Sequence, residues 1–399
     1  MTENEARHPD ESTTPTGMGR RAFLQRAGLV GTAAIGASMG LAACGGDGDK
    51  AGTGAATAAD PSADGPAGKV AAKFKGKTIG LAFLTLADPN VVLIQEGLEE
   101  AAKKAGLDWK FQAFDGQAKN AQAQQGLQSL IAKKVDLIYL EGIAPRLVGP
   151  QLAQAKSAGI PVVGGFTAAP LDPGIRYDYA ASLESDSVVL SQFMLAELNA
   201  VHADKSEIKL ALLDSDLDVI LGRRKVLDGL LQLAVNKKIK VVGSQNIDLT
   251  DPVGSSTKIA SSFLTKNPDL DAIWTNYPNA AIASANAAAQ KRKADQVKVY
   301  GHIANAAAID ALRQKGNAMS ATSWIDFTYT AYATVGYMLD VFAGNEVART
   351  VSYTDPVPVT VLSRSTIEQQ IPGKGSAWSF GGSTYRDGFV RSWGERFAA

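Results

Sequence analysis

The sequence predicts an α/β protein built as two lobes, each a parallel sheet flanked by helices. Three observations carry that prediction. Aliphatic and β-branched runs alternate with amphipathic stretches of helical period, the alternation occurs in two successive series, and the chain before about Val70 lacks the apolar content of a core.

The first series opens at 78–84, a run short and apolar enough for a buried strand. Val91, Ile94, Leu98, Ala101 and Ala105 then recur at helical spacing, and Gly106 supplies a stop. The unit repeats as 109–114 with 121–132 and as 136–140 with 147–158, and a last strand follows at 160–166. Strands separated by helices of about 10 to 15 residues imply right-handed βαβ units and a parallel sheet. The second series places strands at 208–213, 239–246, 272–275 and 297–301, with helices near 222–235, 253–264, 280–291 and 306–314. Two sets of about four βα units hold more strands than one compact sheet with short connections accommodates, so they divide into two lobes. Ligands of open α/β sheets sit beyond the carboxyl ends of the strands. Two facing sheets would therefore share one cleft.

Ahead of the lobes, Gly19-Arg20-Arg21-Ala22-Phe23-Leu24-Gln25 leads into an uncharged stretch, 27–43, and then Cys44. A basic front, an Ala- and Gly-rich run and small residues before a cleavage point are the parts of an export signal. Arg20-Arg21 with Phe23-Leu24 resembles the twin-arginine signal, whose route carries folded proteins. Leu41-Ala42-Ala43-Cys44 resembles a bacterial lipoprotein box, in which the cysteine thiol takes a diacylglycerol. A spanning helix needs about 20 strongly apolar residues, and Gly28, Gly31, Gly36 and Gly40 leave this run only weakly hydrophobic. Residues 45–68 are almost entirely Gly, Ala, Asp, Thr, Ser and Pro, which cannot bury enough surface to offset the entropy of ordering. The expected organisation is a signal at 1–43 and a disordered tether at 44–69, followed by a first lobe of 70–184 plus 325–355. A second lobe of 185–324 plus 356–364 comes next, then an extension at 365–399 whose Trp378, Phe380, Tyr385, Phe389 and Trp393 pack it onto the body.

Several function classes are disfavoured by the residue inventory. Cys44 is the sole cysteine, so no internal disulfide forms. Lys plus Arg and Asp plus Glu are equal at 40 each, which gives no net field to draw nucleic acid or an acidic partner. No Cys/His cluster has metal-ligand spacing, and no cofactor is expected. Asp214-Ser215-Asp216-Leu217-Asp218 starts like a calcium loop, but Val219 occupies the position that needs Gly, so it is expected to be a polar loop at the cleft rim. The histidines, His8, His202 and His302, assemble no catalytic triad.

Ile79-Gly80-Leu81 with Asp88-Pro89, then 130–138, Ala158-Gly159-Ile160-Pro161-Val162-Val163, Gly222-Arg223-Arg224 leading to Asp228-Gly229, and 267–273 resemble the type I periplasmic binding proteins. The resemblance is closest to the ribose-like sugar-binding branch that serves ABC importers, and it covers about 78–362. It implies three hinge crossings between the lobes, near 182–186, 323–326 and 354–357, and closure of the lobes on a ligand.

Carried over position by position, the resemblance gives a set of candidates. Asp88 falls where the first loop offers a carboxylate or amide to a sugar hydroxyl, and it equally suits a helix cap beside Pro89; Asn90 follows in the same loop. Arg224 matches an arginine whose fork reaches the ligand, with Arg223 as the neighbouring alternative. Asn276 matches a ligand-contacting asparagine, although a strand-end Asn also caps helices. Phe166 lies in the loop after the fourth strand and Asp326 at the second crossing, while Tyr277 and Trp324 either stack on a ligand or pack the hinge. The departures are as informative. Gly301-His302-Ile303 stands where the family reads Gly-Phe-Asp, Phe166-Thr167 replaces an Asp-Arg type pair, and Val91 and Leu249 stand where rings often sandwich the sugar. Polar forks and stacking faces are lost together, so the expected ligand is a smaller polyol, a modified sugar or a less hydroxylated metabolite rather than an ordinary pentose.

The resemblance thus implies a monomeric, membrane-anchored lipoprotein that delivers a small sugar or polyol-like molecule to an ABC permease and its ATPase. A sensory receptor serving a membrane histidine kinase or chemoreceptor would use the same lobes. An enzymatic reading would have to rest on His302 with Asp326 as catalytic base.

Overall fold

A helix opens the fold. In the computed structural model, which describes residues 65–167, 174–175, 181–345, 359–373 and 384–397, Pro66–Phe74 (α1) buries Ala67, Val70 and Phe74. The folded part therefore begins several residues earlier than the sequence implies, because three apolar positions at helical spacing are enough to seat a turn-rich segment on a neighbour. Arg20, Arg21, Cys44 and the expected crossing at 354–357 lie outside the described residues.

Thr78–Phe83 (β1), Lys110–Asp115 (β2), Leu137–Glu141 (β3) and Val162–Gly165 (β4) form a parallel sheet in the order β2-β1-β3-β4. Their connecting helices are Pro89–Lys104 (α2), Asn120–Ala132 (α3) and Gly149–Ser157 (α4). Successive strand residues point to opposite faces, and the two faces are covered differently. Ala82, Ile138 and Leu140 meet Leu127 and Leu130 of α3 and Leu152 of α4. Ile79, Leu81, Phe83, Leu137 and Tyr139 face α1, α2 and segments from the far end of the chain.

The second sheet contains Ile208–Asp214 (β5), Ile239–Asn246 (β6), Ala272–Thr275 (β7), Lys298–Gly301 (β8), Met319–Ile325 (β9) and Val359–Ser363 (β10). Its order is β10-β9-β8-β7-β5-β6, parallel except where β10 runs antiparallel to β9. One face carries Pro252–Lys266 (α7), Pro278–Gln290 (α8) and Ala306–Arg313 (α9); the other carries Ala181–Val201 (α5) and Leu221–Leu231 (α6). The crossing expected at 182–186 is instead the opening of α5, which packs on β9, β10 and α6. Leu190, Met194 and Leu198 drive that packing, a stripe repeating every four residues that a hinge assignment overlooks.

After β9 the chain passes back through Asp326 into Phe327–Ala343 (α10), which is buried along most of its length against α2. The crossing near 323–326 is where the sequence places it. Close approach is possible because Gly97 has no side chain: a Cβ there would stand 2.7 Å from that of Ala331. Ile367–Gln370 (α11) follows β10, and Thr384–Arg396 (α12) then returns to the first lobe. Its Trp393 stacks on Tyr332 of α10, with ring centroids 6.1 Å apart, and Phe397 meets Phe74 of α1 edge-on at 5.2 Å. Lys104–Asp387 at 2.7 Å and Arg386–Glu100 at 3.2 Å fasten it to α2.

Candidate functional site

The carboxyl ends of both sets of strands converge on one cavity of about 270 Å³. The first lobe contributes Asp88, Asn90 and Val91 after β1, Glu141 at the end of β3, and Phe166 after β4. The second contributes Leu217, Val219, Ile220 and Arg223 after β5, Leu249 and Thr250 after β6, Tyr277 after β7, and Ile303 after β8. Phe327, the first residue of α10, completes the enclosure. A larger cavity of about 610 Å³ lies against α2, α9 and α12 and is lined by Trp324, Asp326, Tyr385 and Arg386. Position rather than size selects the smaller one, because strand ends at a topological switch are where open α/β sheets bind ligands. Its volume, at the lower edge for small-molecule sites, suits one compact ligand.

Asp88 takes the capping role expected of it and stands on the cavity wall. At the head of α2 it accepts a hydrogen bond from the Asn90 amide at 2.9 Å. Burial raises its pKa above the ordinary carboxylate value, opposed by that hydrogen bond and by the charge of Arg223. The Asn90 side chain donates to the Ile303 carbonyl at 3.5 Å and so joins the lobes across the cleft. Tyr277 packs against the cores of both lobes as well as the cavity, and burial, with the charge of Asp88 adding to it, pushes its phenol up to about 12.

Phe166 and Ile303 share an unusual backbone. Their φ values are +53° and +56°, in the left-handed region that side chains branched or bulky at Cβ avoid. Holding each there costs about 1–2 kcal/mol. Phe166 is steadied by Phe327, with ring centroids 5.8 Å apart.

The two arginines exchange the places expected from the sequence. Arg223 is 1 % exposed and lines the cavity. Its Nε and Nη2 donate to the two oxygens of Asp186, each at 3.1 Å, and its Nη1 donates to the Asn276 carbonyl at 2.8 Å. Ser323 donates to Asp186 at 2.8 Å, so α5, α6, β7 and β9 meet in one buried network. Arg224 points away from the cavity: it donates to Asp228 at 2.8 Å, to Ser244 at 2.9 Å and to Asp214, and its side chain is 28 % exposed. Successive residues on a helix lie about 100° apart, so only one of the pair can face the cleft. The deciding signal was present in the sequence: Ile220, Arg223 and Leu227 form the buried stripe, whereas Asp228 four residues beyond Arg224 marks a surface pair.

Asn276 lies behind the cavity rather than on its wall. It is fully buried, and its amide donates to the Ser215 carbonyl at 3.3 Å while its carbonyl holds Arg223. Trp324 and Asp326 line the second cavity, and Asp326 caps α10 by accepting from the Tyr329 amide at 2.8 Å. His302 is buried edge-on against Trp274, its Nδ1 donating to the Thr275 carbonyl at 2.7 Å. Burial, with the nearby Arg223 charge, holds its pKa well below the usual histidine value, so it stays neutral. With His302 sealed in a core and Asp326 spent as a cap, the pair does not form a catalytic base. Glu141 and Asp186 are the polar residues that the sequence reading passed over, and Arg223 entered it only as the alternative to Arg224. A carboxylate ending the otherwise apolar Leu137–Glu141 was the available sign for the first, and the Tyr139 hydroxyl donates to it. Among the described residues no group of His, Cys, Asp or Glu is arranged to hold a metal ion, and no helix is long and apolar enough to cross a membrane.

A sequence profile of the periplasmic binding protein domain matches residues 79–346. The chain belongs to the periplasmic binding protein family, with the type I fold. The ribose import binding protein RbsB of Bacillus subtilis (strain 168) is 24% identical over 238 residues, which is 60% of this chain and 73% of RbsB. An ABC transporter solute binding protein from Agrobacterium vitis, solved with bound allitol, is similar at a TM-score of 0.65 and 16% identity, over 74% of this chain and 98% of that one. GanP, a glucose-galactose binding protein from Geobacillus stearothermophilus, gives a TM-score of 0.62 and 19% identity, over 73% and 98%. At such identities these structures speak for the fold alone. The family is one of periplasmic binding proteins, and the relatives and neighbours named above are binding proteins rather than enzymes.

Proposed function

We propose that the chain is the solute-binding lipoprotein of an ABC importer, anchored outside the cytoplasm through Cys44 and delivering a small sugar, polyol or related metabolite to a membrane permease driven by an ATPase. The observation that carries the reading is the enclosed cavity at the strand ends of both lobes, bridged by the hydrogen bond from Asn90 to Ile303. A ligand touching both walls binds the closed arrangement better than the open one, and that differential affinity is what a permease would sense. Names borne by relatives, ribose import among them, support carbohydrate as the solute class. The twin-arginine pattern at Arg20 and Arg21 and the lipoprotein box ending in Cys44 support export and anchoring.

A thermal-shift screen of the full chain against pentoses, hexoses, polyols and small acids tests the reading. A cognate ligand at about 100 times its dissociation constant adds about 2.7 kcal/mol of stability. A flat response to every sugar and polyol would remove the carbohydrate assignment. For the anchor, Cys44→Ser is expected to move the protein from the membrane fraction to the soluble one, and unchanged fractionation would remove the lipid.

A further inference from the structure

Resting on the carbohydrate reading above, the two cavity walls narrow the ligand further. The first lobe brings its polar groups as Asp88, Asn90 and Glu141. The second lobe faces them mostly with Leu217, Val219, Ile220, Leu249 and Ile303; its polar groups are Thr250, Tyr277 and Asn279 at other points of the wall, and its cation, Arg223, is already engaged by Asp186. A fully hydroxylated sugar closed between these walls would press hydroxyls against aliphatic carbon and leave them unpaired, which a buried site penalises.

The backbone at Ile303 strengthens the argument. Its left-handed conformation suits Asn, Asp or Gly, and a β-branched side chain is poorly tolerated there. Phe166, on the opposite lobe, is held in the same region. Apolar side chains thus occupy two cavity positions where conformational preference favours polar ones. Charge adds a second constraint. Two carboxylates line the cavity with one guanidinium, and that guanidinium is matched by a third carboxylate behind it, so an anionic ligand finds no spare cation.

We infer that the site selects an amphiphilic carbohydrate derivative: a neutral ring or polyol whose hydroxyl-bearing edge meets Asp88, Asn90 and Glu141, and whose opposite edge is deoxygenated or capped by an alkyl group and lies against Leu217, Leu249 and Ile303. Sugar acids and sugar phosphates are excluded by the same walls.

Titration calorimetry of the full chain with matched pairs tests this: 5-deoxy-D-ribose against D-ribose, 6-deoxy-D-glucose against D-glucose, and methyl β-D-glucoside against D-glucose, with D-gluconate and D-glucose 6-phosphate as anions. At least one deoxygenated or capped member is expected to bind about tenfold tighter than its parent, the size of effect that one buried apolar group gives. The anions are expected to bind worst. Ile303→Asp, which suits the local backbone, is expected to reverse the preference toward the parent sugar, and Leu249→Asn provides the same readout from a different loop. Parents that bind as tightly as their derivatives, or an anion that binds best, would overturn the inference and leave a carbohydrate-binding protein. Absence of heat with every compound would instead overturn the carbohydrate reading on which it rests.

Discussion

The two lobes present similar parallel sheets but are completed in different ways. In the second, α5 to α9 cover both faces from the same stretch of chain, 181–325, that supplies β5 to β9, and among the described residues only β10 with α11 is borrowed from beyond. In the first, α3 and α4 cover one face locally, while on the other the local α2 is joined by α1, α10 and α12, which come from both ends of the described chain. The comparison teaches that one face of the first lobe's core is completed by non-local helices. Its closure costs more loop entropy, and its stability hangs on an extension that lies beyond the 79–346 matched by the family profile.

The largest expected effect follows from Trp393. It is 2 % exposed, stacked on Tyr332 and 5.9 Å from Phe389 between ring centroids. Trp393→Ala is expected to cost about 3–5 kcal/mol, and hydrogen exchange should show the loss concentrated in β1, β2 and β3 while β5 and β7 keep their protection. Equal loss in both sheets would break the comparison, because it would make the extension a support for the whole molecule.

Slightly smaller, and specific to the second lobe, is the contrast between adjacent arginines. Arg223→Ala leaves the Asp186 carboxylate buried without its partner, at an expected cost of about 3 kcal/mol and with loss of ligand binding. Arg224→Ala removes partly exposed pairs and is expected to cost under about 1 kcal/mol with affinity retained. Urea unfolding and calorimetry of the two variants check the order. Comparable losses of affinity would mean that Arg224 reaches the ligand as well, and the contrast between the two would fail.

The same division into local and non-local explains what the sequence made legible. Strands and helices of the βα units were visible because each shows its own period within a short window; β5, β6 and β7 begin at Ile208, Ile239 and Ala272, as expected. α1, α5 and α10 were not, since their apolar faces make sense only against partners far away in the chain. α10 is apolar on nearly every side, which erases the periodic signal of an amphipathic helix. Within the site, Asp88, Asn90, Phe166 and Tyr277 were legible from their place after strands. Asn276, Trp324 and Asp326 sit at strand ends too, yet face the core or the hinge, because a strand end fixes where a residue is and not which way its side chain turns. Arg223 against Arg224 was decided by a rotation of about 100° that family phrasing does not encode.

The smallest effect is a slope rather than a step, and it separates the lobes by pH. His302, buried in the second lobe, has a pKa well below the ordinary histidine value because burial and then Arg223 disfavour its charged form. An unfolded chain takes up that proton near pH 6.5 while the folded one does not, so stability should fall as the pH drops below about 6.5, by at most about 1.4 kcal/mol per unit for one proton. Asp88, in the first lobe, has the opposite sign: its raised pKa means the folded state holds a proton longer, so its contribution weakens as pH rises past the usual carboxylate range. His302→Asn retains a donor for the Thr275 carbonyl and removes the titration. Melting temperatures of parent and variant between pH 7 and pH 5 should therefore diverge, the parent falling faster, with all other carboxylates and His202 cancelling in the difference. Parallel curves would show that His302 takes up its proton without penalty, and the acid sensitivity would then belong to neither lobe in particular.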